Sequence, residues 1–354
     1  MTYFERMKQK CEVLRTQKRV RILAIESSCD ETSVAVVENG RKVLSNIISS
    51  QIDIHRHFGG VVPEVASRNH ILNIIPLVDQ ALVSAKLTFS DIDVIAVTQG
   101  AGLVGALLVG LTTAKALSFA LDLPLINVNH IKGHMAANYI AFPKLEPPFM
   151  CLITSGGNTA IVKVNDYIHF TLIGSTQDDA IGEAFDKVAR VLGLEYPGGA
   201  KIDKLATDVE PKLKFVQSDS LAGTYNVSFS GLKTAVINYV HKLQQNGKML
   251  DVPQICASFQ AEAVDMIVSK VIRACKEFGQ DKLVLAGGVA ANSYLRSSLD
   301  KFSKANGIKL FYPPKEFCTD NAAMIGSIAY YQLLSSDPAS LDISALATIP
   351  LSDI

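Results

Sequence analysis

The sequence predicts an α/β protein built as two related lobes. Three features carry that expectation. Apolar stretches of strand length alternate with segments of helical periodicity, the pattern of layered α/β chains. A unit of strand, small polar loop and strand occurs twice, at 22–37 and at 150–164. Between the two, the Pro-rich segment Phe142 to Pro148 has the composition of a connection. The length of 354 residues also suits two domains of about 100–200 residues each.

The elements follow in chain order. Phe4, Met7, Cys11 and Leu14 share one helical stripe, which predicts a short amphipathic helix packed on the body. The basic segment around it lacks the apolar core of a secretory signal, and Glu5 and Glu12 argue against an organellar leader. Ile22 to Ile25 is an apolar strand that runs into Glu26-Ser27-Ser28-Cys29-Asp30-Glu31-Thr32. Ser33 to Val37 is the returning strand, and Asn39-Gly40 makes a turn. Ile71 to Ala85 reads as an amphipathic helix, and Val94 to Val97 as a buried strand. Gly100, Gly102 and Gly105 then lead into a helix through Leu121, and Leu125 to Val128 is a strand. Past the connection, Met150 to Ile153 and Ala160 to Val164 flank the loop Thr154 to Thr159. Asp179 to Leu192 and Val252 to Phe278 are expected helices, Leu283 to Ala286 a strand, and Gly287-Gly288 the opening of a helix Ala290 to Phe302. The final helix, near Asn321 to Leu334, has Asp320 at its expected N-cap, and the chain after Ser335 reads as a loose tail.

Composition excludes several classes. Lys plus Arg and Asp plus Glu are both 34, so a protein that binds nucleic acid through bulk positive charge is excluded. With 48% hydrophobic and 19% charged residues there is ample material for large cores. The six cysteines form no CxxC pair, which argues against a zinc ribbon or a secreted disulfide scaffold and makes a reducing cytoplasm the default. No apolar run approaches the ~20 residues of a membrane helix. The best, Ala101 to Ala114, is interrupted by Gly and Thr and ends at Lys115, so no membrane is expected.

Three groups of residues could carry chemistry. Ser155-Gly156-Gly157 between two strands could aim backbone N–H groups at phosphate oxygens, although a tight hairpin explains it equally. Gly287-Gly288-Val289-Ala290-Ala291-Asn292 joins a strand to a helix start, where anions dock, and Asn292 could bond a sugar or purine edge. Two such loops in separate lobes suggest a nucleotide cleft, with simple turns as the alternative. Next, His130 and His134 stand four residues apart on one helical face. The HExxH peptidase pattern fails because Ile131 occupies the Glu position. A third ligand such as Asp320 would make a site of two His and one carboxylate; a hydrogen-bonded histidine pair is the plainer account. Last, Asp179, Glu183 and Asp186 share a helical face that Gly182 and Phe185 interrupt, as a helix facing a ligand would need; a solvated face is the plainer account.

Together these segments resemble the TsaD family of tRNA threonylcarbamoyladenosine transferases, once described as O-sialoglycoprotein endopeptidases. The matching stretches are ESSCDET at 26–32, GGVVPEVASRNH at 59–70, NHIKGH at 129–134, TSGGNT at 154–159, GEAFDKVAR at 182–190, YPGG at 196–199, FSGLKTA at 229–235, GGVAAN at 287–292 and TDNAAMIG at 319–326. They occur in family order through most of residues 22 to 334. Two positions depart: Asn158 stands where the family commonly has His, and Cys318 where Ser is frequent.

The resemblance implies two RNase H-like lobes of the actin, hexokinase and heat-shock ATPase group around a central nucleotide cleft. It places a basic extension at 1–21, a first lobe at 22–141 completed by 320–334, a second lobe at 149–319 and a tail at 335–354. It implies transfer of a threonylcarbamoyl group from threonylcarbamoyl-AMP to the exocyclic amine of the adenosine beside the anticodon, in tRNAs reading codons that begin with A, with release of AMP. By residue match, His130, His134 and Asp320 would bind one divalent metal, iron or zinc, with magnesium an alternative. Ile153, Thr154, Ser155, Gly156 and Gly157 would cradle the phosphate and carbamoyl portion. Asp186, Gly199, Asp203 and Asn292 would hold the adenosine part. Asp30 and Glu31 would orient or deprotonate the attacking amine. The implied partners are tRNA, a TsaB-like paralogue and a TsaE-like ATPase. A sugar or acetate kinase on the same fold would leave the histidine pair unexplained, since kinase magnesium is held mainly by carboxylates, water and phosphate. A non-catalytic paralogue would be expected to have lost these ligands.

Overall fold

The computed structural model of the chain describes residues 2–216 and 221–350. Its first part runs α1 (Tyr3–Leu14), β1 (Arg21–Glu26), β2 (Glu31–Glu38), β3 (Lys42–Ser50), α2 (Ile52–Arg56), α3 (Pro63–Ala85), β4 (Val94–Gly100), α4 (Val104–Leu121), β5 (Leu125–Asn129) and α5 (His130–Ala141). The second has β6 (Phe149–Thr154), β7 (Thr159–Val164), β8 (Phe170–Ser175), α6 (Ile181–Val191), α7 (Gly198–Ala206), α8 (Ser230–Gln245), α9 (Val252–Glu277), β9 (Lys282–Ala286), α10 (Ser293–Ala305), β10 (Lys309–Phe311) and α11 (Ala322–Ser335).

The sequence repetition becomes a topological one. The first sheet has the order β3-β2-β1-β4-β5, and the second, read the same way, β8-β7-β6-β9-β10. In each, three antiparallel strands precede two added in parallel. Parallel neighbours require crossovers, and α3 with α4 and α6 to α10 provide them.

Strand alternation distributes the core. Leu23 and Ile25 of β1 point to the layer under α3 and α4, whereas Ile22 and Ala24 point inward. In β6, Met150 and Leu152 join the core of α6 to α9, while Phe149, Cys151 and Ile153 point inward. The two inner faces enclose α5 and α11 in one shared core. Gly133 of α5 makes this possible, because a Cβ there would meet Ile325 Cδ1 of α11 at 2.8 Å. The inner packing brings the start of α11 beside the start of α5, and that positions the site.

Several boundaries differ from expectation. α3 begins at Pro63, because proline suits the first helical position and extends the helix before Ile71. Gly288–Ala291 is a 3₁₀ turn, and α10 starts only at Ser293, where Asn292 accepts from the Leu295 N–H. The N-cap of α11 is Asn321, which accepts from the Met324 N–H, so Asp320 stands free of capping. Phe185 does not face a ligand; it is buried in the second core. Glu183 pairs with Lys187 at 2.7 Å, and Asp179 lies before α6, held by Ser230, Lys187 and Lys233. The tail is not loose as far as Ala347: Leu346 N donates to Gln99 O at 2.9 Å and Gly102 N to Ala347 O at 3.1 Å. α1 does pack on the body, with Met7 and Cys11 buried. Contrary to expectation, the helix Val104–Leu121 is long and apolar enough to cross a membrane, since it continues past Lys115. Here it packs on α3 and β4, and Lys115 is held at the Ile343 carbonyl.

Candidate functional site

β5 ends at Asn129, whose side chain accepts from the Ile131 N–H at 2.8 Å and so starts α5 at His130. Helical spacing then turns His130 and His134 to one side, their rings 4.6 Å apart. The segment before α11 delivers the third group. Asp320 Oδ1 lies 3.3 Å from His130 Nε2 and 3.2 Å from His134 Nε2. Ligand atoms of the three all lie within 4.8 Å of one another.

The other side of His130 is set by a residue that sequence reasoning missed. Glu26, wholly buried at the end of β1, faces His130 Nδ1 at 3.0 Å. Its carboxylate also accepts from Thr98 Oγ1 and the Ser28 N–H, each at 2.5 Å. The only local signal was an acid closing the apolar strand RILAIE. Burial works against an imidazolium at His130, but Asp320 and Glu26 outweigh it and raise its proton affinity well above the ordinary value. Burial alone would likewise raise the Asp320 carboxyl, yet the two imidazoles hold it well below the usual range.

This donor set fits a divalent transition metal. Two imidazole nitrogens and one carboxylate suit iron or zinc better than magnesium, which favours oxygen donors. A carboxylate behind a ligating imidazole fixes its tautomer and raises its basicity. The buried negative charge of Glu26 and Asp320 also calls for a cation between them.

Asp30 and Glu31 close the same wall. Asp30 is buried, and Glu31 accepts from Ser50 Oγ at 3.0 Å. Burial, then the charges of Asp320 and Asp30, push the Glu31 carboxyl up to about 9. His70 steadies this turn by bonding Thr32 Oγ1 at 2.7 Å and the Cys29 carbonyl at 2.9 Å.

The second lobe supplies the glycine loops, and both are there. The loops alone suggested separate lobes, whereas the resemblance put both within 149–319; β6 and β9 are neighbouring strands of one sheet, which is a long-range pairing. A Cβ at Gly287, where φ is +93°, would lie 2.4 Å from Thr154 O. The two loops therefore touch. Ile153 is buried in β6, so only its backbone can meet a ligand. Ser155 and Asn158 close the hairpin, Ser155 N donating to Asn158 O at 2.8 Å. Cβ atoms at Gly156 and Gly157 would meet nothing within 4 Å, so open space stands over them. Asp186 Oδ1 accepts from Gly198 N at 2.8 Å and Gly199 N at 3.3 Å. Asp203 accepts from Ser293 Oγ at 2.7 Å, and Asn292 Nδ2 donates to Gln260 Oε1 at 2.8 Å. Asp203 and Asn292 thus meet at the start of α10, while the three metal-type ligands gather at the starts of α5 and α11.

Among known proteins, the family model described as TsaD, tRNA N6-adenosine threonylcarbamoyltransferase, matches residues 42–327. A Clostridium perfringens protein of that name is 54% identical over 333 residues, 94% of this chain and 98% of its own length. One from Clostridium botulinum strain Kyoto is 54% identical over 338 residues, 95% of this chain and 99% of its own. Solved structures share the fold at low identity. A full-length HypF has a TM-score of 0.62 at 17% identity, covering 90% of this chain and 47% of its own. The (R)-2-hydroxyglutaryl-CoA dehydratase component A of Acidaminococcus fermentans scores 0.54 at 14%, covering 89% and 99%. The fold is the two-lobed, RNase H-like one of the actin and hexokinase group. Sequence and architecture agree: the chain belongs to the TsaD family of tRNA N6-adenosine threonylcarbamoyltransferases, a transferase of tRNA modification.

Proposed function

We propose that the chain passes the threonylcarbamoyl group of threonylcarbamoyl-AMP to N6 of the adenosine beside the anticodon, in tRNAs reading codons that begin with A. The N6–carbonyl carbon bond forms, the bond from that carbon to the phosphate oxygen breaks, AMP leaves, and one N6 proton is lost. The observation that carries this reading is the gathering of His130, His134 and Asp320, whose ligand atoms all lie within 4.8 Å of one another, in a chain that also holds an open loop at Gly156 and Gly157.

Of the 153–157 segment, the N–H groups of Gly156 and Gly157 would receive phosphate oxygens, and Asp186, Gly199, Asp203 and Asn292 would frame the adenosine. Such fixed donors lower the barrier because they need no reorganisation as charge develops. An adenine amine is a weak nucleophile, so holding both substrates in place also matters. Asp30 and Glu31 would orient the amine and take its proton. His130, His134 and Asp320 would hold a divalent iron or zinc ion, which as a Lewis acid offsets negative charge on the donor.

A TsaB-like partner would cover the exposed side of α3 and α4. Ile71, Leu72, Ile75 and Leu108 are 62%, 71%, 54% and 45% exposed there. Ile71, Ile75 and Leu108 line a groove of about 460 Å³. A TsaE-like ATPase would complete the system, which would work in the cytoplasm. The test mixes the chain with both partners, tRNA and threonylcarbamoyl-AMP, then digests the tRNA. Threonylcarbamoyladenosine is expected, and its absence with wild-type protein would overturn the reading.

A further inference from the structure

The loop from Gln51 to Val62 links the two walls, and the catalytic reading gives it no role. At one end it joins the acidic turn: Gln51 N donates to Asp30 O at 3.0 Å, next to the Ser50 hydroxyl that meets Glu31. At its tip it reaches the other lobe, where Arg190 Nη2 donates to Gly59 O at 2.8 Å. Arg190 follows Asp186 by one turn of α6, so its arm leaves from the nucleotide wall.

The base of this loop is built rather than slack. His55 and Gln51 are buried. His55 Nδ1 accepts from Val62 N at 3.3 Å, Gly60 N donates to His55 O at 3.3 Å, and Gln51 Nε2 donates to Ala66 O at 3.3 Å. On that base, Phe58 stands outward with 59% of its surface exposed. One short helix, α2, separates it from Gln51, a span on the order of 10 Å. Beside it are the exposed side chains of Arg56 and His57. An outward aromatic ring on an anchored loop, with a guanidinium beside it that is held by Asp53 at 3.2 Å, is an arrangement that can receive an unstacked base and its phosphate.

We propose that Phe58 is a stacking platform for a base of the tRNA anticodon loop, at the mouth of the cleft between the acidic turn and Asp186. The proposal rests on the tRNA-modifying reading above. An adenosine inside a stacked loop cannot offer its amine to a cleft, so one of its bases must be received outside the stack. Phe58, tied to both walls through its loop, is placed to receive one as the amine enters.

The test uses the full chain reconstituted with both partner proteins, comparing wild type, Phe58→Ala and Phe58→Trp. Binding of a fluorescent anticodon stem-loop is read by anisotropy, and KM is measured separately for tRNA and for threonylcarbamoyl-AMP. Phe58→Ala should weaken stem-loop binding and raise the tRNA KM by about fivefold to a hundredfold. The donor KM should stay unchanged, and Phe58→Trp should restore tRNA binding. Equal stem-loop affinities for wild type and Phe58→Ala would overturn the platform while leaving the transferase reading intact. So would a loss that appears in the donor KM or in assembly with the partners. A wild-type complex that binds the stem-loop but modifies no tRNA would sink the transferase reading and leave the platform standing on its binding data.

Discussion

Glu26 Oε2 lies 3.0 Å from His130 Nδ1, and the carboxylate is sealed from solvent. The pair fixes the imidazole so that Nε2 points toward Asp320. In the proposed metal site, Glu26 is therefore a positioning residue for His130. Glu26→Gln keeps the shape and removes the charge, and metal affinity should fall about tenfold to a hundredfold. Competition titration with a chromophoric chelator measures this directly. An unchanged metal affinity would leave Glu26 a packing residue.

His134→Ala and Asp320→Ala should each lose bound metal and tRNA modification. Asn321, not Asp320, caps α11, so Asp320→Ala should cost none of the ~1 kcal/mol of a lost cap. Metal analysis beside thermal melts separates the two effects. Stoichiometric metal and full activity in either variant would reduce the trio to a hydrogen-bonded cluster.

Gly156→Val should leave the fold intact, because the new Cβ meets nothing within 4 Å. It should weaken adenylate binding strongly, because that space would belong to the phosphate. Calorimetry with a non-hydrolysable adenylate decides it, and wild-type affinity would exclude the loop as a cradle.

Asp186→Asn keeps an oxygen for the Gly198 and Gly199 N–H groups but removes the charge. If Asp186 grips a ribose hydroxyl, the loss should be roughly 1.5–3 kcal/mol, about tenfold to a hundredfold in adenylate affinity. Equal affinities with unchanged stability would assign Asp186 to the α6–α7 turn alone.

Asp179 gives the fold an acid limit. Burial alone would raise its carboxyl, but hydrogen bonds from Lys233, Lys187 and Ser230 lower it to about 2. A depressed folded value stabilises the native state above the unfolded value of about 3.9. That contribution is lost as pH falls from there toward 2. Urea unfolding of wild type and Asp179→Asn should differ at pH 6 and converge near pH 2. A constant gap would mean that charge is not the cause.

The sequence disclosed what local spacing can encode. His130 and His134 are a helical pair, and both hairpins announce themselves by strand, small loop and strand. Chemistry could offer Asp320 only as one candidate third ligand, and the resemblance singled it out, because no local pattern links the start of α11 to α5. Glu26 was hidden for the same reason: an acid at a strand end says nothing about a histidine four strands away in the chain. The loops at 155 and 287 seemed to belong to different lobes because parallel pairing of β6 with β9 leaves no trace between them. Asp320 and Asn321 were one residue out of register as caps, since either side chain can accept from a helix N–H.

The shared inner core also dictates an order of assembly on the ribosome. When α5 has emerged, His130, His134 and Glu26 are all present, but Ala24 and Val37 still face water on the side that α11 will cover. The third ligand and the covering helix arrive together, near residue 320, long after the second lobe has been made. If the trio holds a metal as proposed, ion capture is thus a terminal event of biosynthesis, and a nascent chain stalled before Asp320 has neither a sealed core nor a complete place to hoard metal.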